Sequence, residues 1–309
     1  MSLHLFEAFG LFFGLVFGSF LNVCIARLPK HASIVHPGSH CPQCGTPIRW
    51  YNNIPILSWL LLRAHCRDCK APISLQYPVV ELLTGLWFAL AARHLSEMLA
   101  SVTLMTDPSI RGSVEVLGFG AVGFLLIGLL VMDWQTHLLP DAFTLTGIGL
   151  AAFLVCTQAI FLGPKEGQIL LTSHSIHLTS AGSAGPDTGN VFLTGPEALV
   201  FGRLFAVVGV AAMLLLIRWL YQAIRHREGL GLGDVKLLAM IAAFLGFWPA
   251  ILALFIGVLT ATGYAVFLLV RGRAVLASKL PLGTFIALGG LISAQFGNRL
   301  IEAYATLLR

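Results

Sequence analysis

The chain has 309 residues, of which 57% are hydrophobic and only 11% charged, a composition far from that of a soluble globular domain. Its formal net charge of +5 calls for no nucleic-acid partner, because basic loops beside anionic lipid account for it. The expected fold class is an all-α polytopic membrane protein in which the bilayer acts as solvent.

A helix needs roughly 20 apolar residues to cross the hydrocarbon. Eight apolar blocks read as transmembrane helices: 5–26, 79–99, 114–132, 142–162, 198–221, 235–248, 250–270 and 282–303. The first is read as a retained spanning helix rather than a cleaved signal, because Met1 to Phe12 lacks Lys and Arg while Arg27 and Lys30 follow the apolar run. Gly10, Gly14 and Gly18 recur every four residues along it, so a second helix is expected to approach its backbone closely. Blocks six and seven meet at Trp248-Pro249, where a tight hairpin is expected. The stretch 163–197, rich in Gly, Ser, Thr and His, reads as a mobile outer loop.

Lys and Arg are retained on the cytoplasmic side. Thirteen of the nineteen follow odd-numbered blocks or lie at their ends, leaving Arg93, Arg111, Lys165, Arg203, Arg299 and Arg309 on the other side. Both termini are therefore expected outside, with loops 27–78, 133–141, 222–234 and 271–281 in the cytoplasm. The domain reading is transmembrane helix 1 over 1–27, a cytoplasmic zinc-binding insert over 28–78, and a seven-helix transmembrane body over 79–309.

Within the insert, Cys41-Pro-Gln-Cys44 and Cys66-Arg-Asp-Cys69 form two CxxC pairs separated by 21 residues. That spacing suits four thiolates around one tetrahedral zinc, and a cytoplasmic location argues against disulfides. Four thiolates leave no open position for water, so the zinc is expected to be structural and to supply much of the folding energy of a small insert. Cys24 and Cys156 fall inside apolar blocks and read as packing residues.

Carboxylates are scarce near the apolar blocks, which makes each informative. Asp133 closes the third block, where the negative helix end disfavours an acid. Asp141 follows Pro140 at the start of the fourth, where an acid is favoured; helix-start stabilisation and catalysis are both open to it. Asp234 lies in Gly231-Leu232-Gly233-Asp234-Val235-Lys236, whose glycines permit a close backbone approach. Asp133 and Asp234 at one membrane depth suggest a dyad that shares a proton and activates water. Simple anchoring of helix ends is the competing reading. Arg27 and Lys236 either attract a substrate or anchor helices.

These residues carry a family resemblance along nearly the whole chain. The markers are Gly18-Ser-Phe-Leu-Asn-Val-Cys-Ile-Ala-Arg-Leu-Pro29, the two CxxC pairs, Asn53-Ile-Pro-Ile-Leu-Ser58, Tyr77-Pro-Val-Val-Glu-Leu82, Asp133 through Leu138-Leu-Pro-Asp141, and Gly231-Leu-Gly-Asp-Val-Lys-Leu-Leu-Ala-Met240. In this set and order the chain resembles the bacterial type IV prepilin peptidases, bifunctional leader peptidase and N-methyltransferase members of the GxGD-type aspartic proteases. The resemblance implies that Asp133 and Asp234 are catalytic, with Asp141, Gly231, Gly233, Lys236 and Glu81 in supporting positions. Glu81 has three open roles: helix-start stabilisation, insert docking or methyl transfer.

The resemblance further implies cleavage of a leader after Gly in prepilins and pseudopilins of type IV pilus and type II secretion systems. Methylation of the new terminus with S-adenosylmethionine would follow, at the bacterial inner membrane. Departures from the family pattern are Ala64-His65 before the second CxxC, Gln76 before Tyr77-Pro78, and Leu282 and Thr284 near the last block. No glycine-rich dinucleotide fingerprint marks a methyl-donor site. The alternative from another class is a non-enzymatic, zinc-containing membrane assembly factor for pili or secretion systems. A transporter is disfavoured by the absence of an inverted repeat. Membrane lipid is an expected partner, and the sequence carries no sign of oligomeric state.

Overall fold

A computed structural model of the chain describes residues 3–101, 108–160, 196–226, 231–272 and 280–307. Nearly all of the outer loop expected over 163–197 lies outside these residues.

Each apolar block becomes a helix: α1 Leu3–Arg27, α3 Gln76–Ser101, α4 Pro108–Thr136, α5 Asp141–Ile160, α6 Pro196–Arg225, α7 Leu232–Leu245, α8 Phe247–Val270 and α9 Leu282–Leu307. A short helix, α2 Leu57–Leu61, lies in the insert. Among the described residues six helices are long and apolar enough to cross a membrane. Between its ends a helix satisfies its backbone groups internally, as lipid requires. Large apolar side chains such as Phe12, Phe205 and Leu259 remain exposed on them, as expected of surfaces that meet acyl chains rather than water.

The most enclosed helix is α7, whose Val235 and Leu237–Ala243 are buried. It packs against α5, α6, α8 and α9. An apolar character all round its surface is what a central helix requires. Its break from α8 falls at Gly246, where φ is +98°, two residues before the Trp248-Pro249 junction expected from sequence. A left-handed backbone is easily reached without a Cβ.

The glycines of α1 do what their spacing predicts. A Cβ at Gly14 would come within 2.7 Å of Gly85 Cα, and one at Gly10 within 2.5 Å of Phe88 O, so α1 and α3 are in near-backbone contact. A Cβ at Gly18 would lie 2.7 Å from Glu81 Cα. Cys24 is buried at this end of the bundle, whereas Cys156 is exposed on α5. The packing role expected for Cys156 is therefore not what the fold gives it; an apolar position facing lipid and one facing a core look alike in sequence.

The insert has almost no core. From residue 28 to 79 only Cys41 and Ser58 are buried. It is tied down at its edges instead. Arg27 donates to Ser33 O at 2.9 Å and to Gly38 O at 3.2 Å, which makes it an anchor of the connecting loop.

Candidate functional site

Two matching turns build the cysteine cluster. In the first, Cys41 N–H donates to Thr46 O and Gly45 N–H to Cys41 O; in the second, Cys66 N–H donates to Ala71 O and Lys70 N–H to Cys66 O. Gly45 and Lys70 hold equivalent left-handed positions, with φ of 70° and 61°. The isolated bridges His40–Pro47 and His65–Pro72 complete the correspondence. The four Sγ atoms lie within 4.8 Å of one another, and Cys41 and Cys69 Sγ are 3.8 Å apart. A tetrahedron with Zn–S near 2.3 Å has edges of about 3.8 Å, so the donor set fits one metal ion. The Thr46 hydroxyl and N–H beside Cys44 bring its thiol down to about 6, whereas at Cys69 the Ala71 backbone bond is outweighed by desolvation and the neighbouring thiols, which push it up to about 11; a bound metal would draw all four to the thiolate.

The segments 53–58 and 77–82 form the dock of the insert. Glu81, buried in the second turn of α3, accepts the Ile56 N–H on Oε2 at 2.7 Å. Ile56 is at φ +59°, ψ −50°, and the Leu57 N–H closes a three-residue turn onto Pro55 O at 2.5 Å. A β-branched residue is strained there. Ser58 Oγ accepts from Ile54 N–H and donates to Tyr51 O, while Asn22 Nδ2 donates to Tyr77 O. Of the roles open to Glu81, insert docking is the one its contacts display.

At the same end of the bundle, four helix ends converge. Asp133, in the last turn of α4, is buried, and its Oδ2 accepts the Thr284 N–H at 2.6 Å and the Thr284 hydroxyl at 3.0 Å. Thr284 is in the first turn of α9, so the acid that is disfavoured at the end of its own helix sits at the positive start of another. Asp234, half-buried in the first turn of α7, accepts the Gly231 N–H on Oδ2 at 3.3 Å. The Asp133 charge bears on Asp234 electrostatically.

Leu139 is the spacer between the two glycine-marked helix starts. A Cβ at Gly233 would lie 3.2 Å from Leu139 Cδ1, and one at Gly283 would lie 2.9 Å from the same atom and 3.0 Å from Asp133 Oδ2. Lys236 Nζ pairs with Asp141 Oδ1 at 2.6 Å, both groups partly exposed. Gln135 Nε2 donates to Gln76 Oε1 at 2.5 Å, linking α4 to the head of α3 and hence to the insert. Thus Asp133, Asp141, Gly231, Gly233, Asp234 and Lys236 share one end of the molecule, with Glu81 on its insert side. Thr284, Gly283, Leu139 and Gln135 were not singled out as site residues by sequence reasoning. A polar residue just inside the last helix was the available signal for Thr284.

Such an arrangement offers two carboxylates of different surroundings, one sequestered and held by two donors, one half-open, beside backbone loosened by glycine. Two interacting acids can share a proton and polarise water between them. Fold and site together define a multi-pass helical membrane protein with a carboxylate cluster at one end and a four-cysteine insert beside it.

Residues 12–95 match the bacterial peptidase A24 N-terminal domain, and residues 189–266, which include Asp234 but not Asp133, match the type IV leader peptidase family. A prepilin leader peptidase/N-methyltransferase of Myxococcus xanthus is 35% identical over 277 residues, 87% of this chain and 65% of that protein's length. One of Burkholderia pseudomallei is 32% identical over 318 residues, 94% of this chain and 85% of the relative. One of Pseudomonas aeruginosa is 28% identical over 314 residues, 94% and 90% of the two chains. No solved structure matches the chain. The chain belongs to the type IV leader peptidase family, a family of enzymes, and the non-enzymatic alternative is set aside.

Proposed function

We propose that the chain is an aspartic endopeptidase of the bacterial inner membrane that removes the leader of type IV prepilin-like proteins after Gly, on the cytoplasmic face, and then methylates the new N-terminus. Residues 79–309 form the protease body and 28–78 an insert held by one structural zinc on Cys41, Cys44, Cys66 and Cys69. The observation that carries the reading is the convergence of Asp133 and Asp234, from distant helices, at the end of the bundle that also bears the insert. The bias of Lys and Arg toward that end supports its cytoplasmic placement.

In this reading one carboxylate takes a proton from water as the water oxygen attacks the scissile carbonyl carbon. The other, protonated, donates to the carbonyl oxygen as the tetrahedral intermediate forms. The proton gained by the first acid then passes to the leaving nitrogen as the C–N bond breaks. Thr284 keeps one oxygen of Asp133 engaged, leaving the other for this exchange. The substrate's hydrophobic helix remains in lipid while its polar leader reaches the surface, where an extended segment exposes its carbonyl.

S-adenosylmethionine, when bound, would supply the methyl group for the second activity. The decisive experiment is reconstitution with a prepilin, following the loss of leader mass. Intact prepilin after incubation with correctly inserted wild-type protein would overturn the proposal.

A further inference from the structure

A cavity of about 440 Å³ lies between the insert and the head of α3, within the roughly 300–1,000 Å³ usual for small-ligand sites. Its wall brings together Arg49, Asn53, Trp59, Arg67, Gln76 and Glu81. Such a set is mixed in sign and in kind: a buried carboxylate, two guanidinium groups, carboxamides and an indole. Arg49 and Arg67 both donate to the Tyr51 hydroxyl, at 2.7 and 2.9 Å. The neutral phenol satisfies one N–H of each and cancels neither charge; Asp68, in the same wall, bears on Arg49, and both guanidinium groups keep further N–H donors suited to a carboxylate.

A purely cationic ligand such as a basic leader has no use for this arginine pair, and a purely anionic one is opposed by Glu81. The lining suits a ligand that carries both signs and a flat ring. S-adenosylmethionine has those parts: an amino-acid carboxylate, a sulfonium and an adenine. The wall also adjoins the carboxylate cluster, since Gln76 accepts a hydrogen bond from Gln135, two residues beyond Asp133.

We infer that this cavity is the methyl-donor site, with Arg49 and Arg67 holding the ligand carboxylate, Trp59 the adenine and Glu81 the positive sulfonium. This location rests on the methyl-transfer half of the proposed function. The product amine of cleavage would emerge beside the Gln76 and Gln135 bridge. There its nitrogen lone pair forms the N–C bond while the C–S bond electrons return to sulfur; the resulting methylammonium and neutral S-adenosylhomocysteine conserve charge. The strained Ile56 turn, fixed to Glu81, sets where that carboxylate stands in the wall.

The test uses full-length protein in detergent and two probes that differ in charge at sulfur. Wild-type protein is expected to bind S-adenosylmethionine about tenfold more tightly than S-adenosylhomocysteine in calorimetric titration, one well-placed charge pair being of that order. Glu81→Gln should bring the two affinities to within about twofold of each other, whereas a variant that merely loosens the insert weakens both alike. Arg67→Ala should weaken both probes by about tenfold.

Ultraviolet cross-linking of labelled S-adenosylmethionine to wild-type protein should mark peptides within 48–81, a result that stands even if Glu81→Gln fails to fold. Label on other helices, or parallel loss of both probes in a folded Glu81→Gln protein, would overturn the location. A preparation that methylates prepilin yet is labelled elsewhere sinks the site and leaves the function standing. One that never methylates sinks the reading beneath it.

Discussion

Thr284 directs two donors at a single oxygen of Asp133, its N–H at 2.6 Å and its hydroxyl at 3.0 Å. The acid closing one helix is thereby fixed by the first turn of another, 151 positions further along. Hydrogen bonds to charged groups contribute roughly 1.5–3 kcal/mol. Thr284→Val keeps the N–H and the shape but loses the hydroxyl. It should lower kcat for leader cleavage by about tenfold or more with little change in KM, while Thr284→Ser stays close to wild type. Equal kcat in all three proteins would remove Thr284 from the site.

Asp133→Asn and Asp234→Asn should each abolish cleavage, by at least about a thousandfold, because neither amide can take or give the shared proton. Leader removal is followed by mass spectrometry, with membrane insertion checked in parallel. Retention of wild-type cleavage by either variant is incompatible with the dyad.

Two glycines give a graded comparison. At Gly283 an added methyl meets the Asp133 carboxylate at 3.0 Å, whereas at Gly233 its neighbours are atoms of the Leu139 side chain, the nearest at 3.2 Å. Leu139 can rotate away, but a carboxylate pinned by Thr284 cannot move without losing its donors. Gly283→Ala should therefore reduce cleavage much more than Gly233→Ala, and kinetic assays that reverse this order would contradict the geometry.

Zinc analysis should find one metal ion per chain. Chelation, or Cys66→Ser, should unfold residues 31–75 selectively, since only Cys41 and Ser58 are buried in that stretch and metal binding supplies what a core would. Limited proteolysis and hydrogen exchange would register the change in the insert, with the helices still protected. Insert protection that persists after complete metal removal would show that zinc does not hold it.

The Lys236–Asp141 pair is partly exposed, at 36% and 59% for the two side chains. Exposed pairs contribute roughly 0–1 kcal/mol. Lys236→Met and Asp141→Asn should each shift unfolding stability by less than about 1 kcal/mol, read by thermal unfolding in one detergent. A larger loss would point to a role for the pair in assembling the site.

Hydropathy made eight helices legible, because in lipid the apolar run is itself the element, but among the described residues only six of the eight expected spans are long and apolar enough to cross a membrane. The α7–α8 break lies two residues before the expected Trp248-Pro249 junction, because the apolar run continues through Gly246 and only the backbone reveals a φ of +98°. The CxxC spacing disclosed the cysteine cluster since its ligands are local. Nothing local ties Asp133 to Thr284, Gly233 to Leu139 or Ile56 to Glu81. Those pairings arise from tertiary packing, so the sequence named the acids without showing what holds them.

The fourteen residues of α7 rise about 1.5 Å each and span roughly 21 Å, against a hydrocarbon thickness of about 30 Å. A rod that short must begin or end beneath a headgroup plane unless the lipid around it dips. With Gly231 and Asp234 at its head, and on the cytoplasmic placement proposed above, a hydrated dip of the lipid there would let a peptide descend to the acids without any helix having to part.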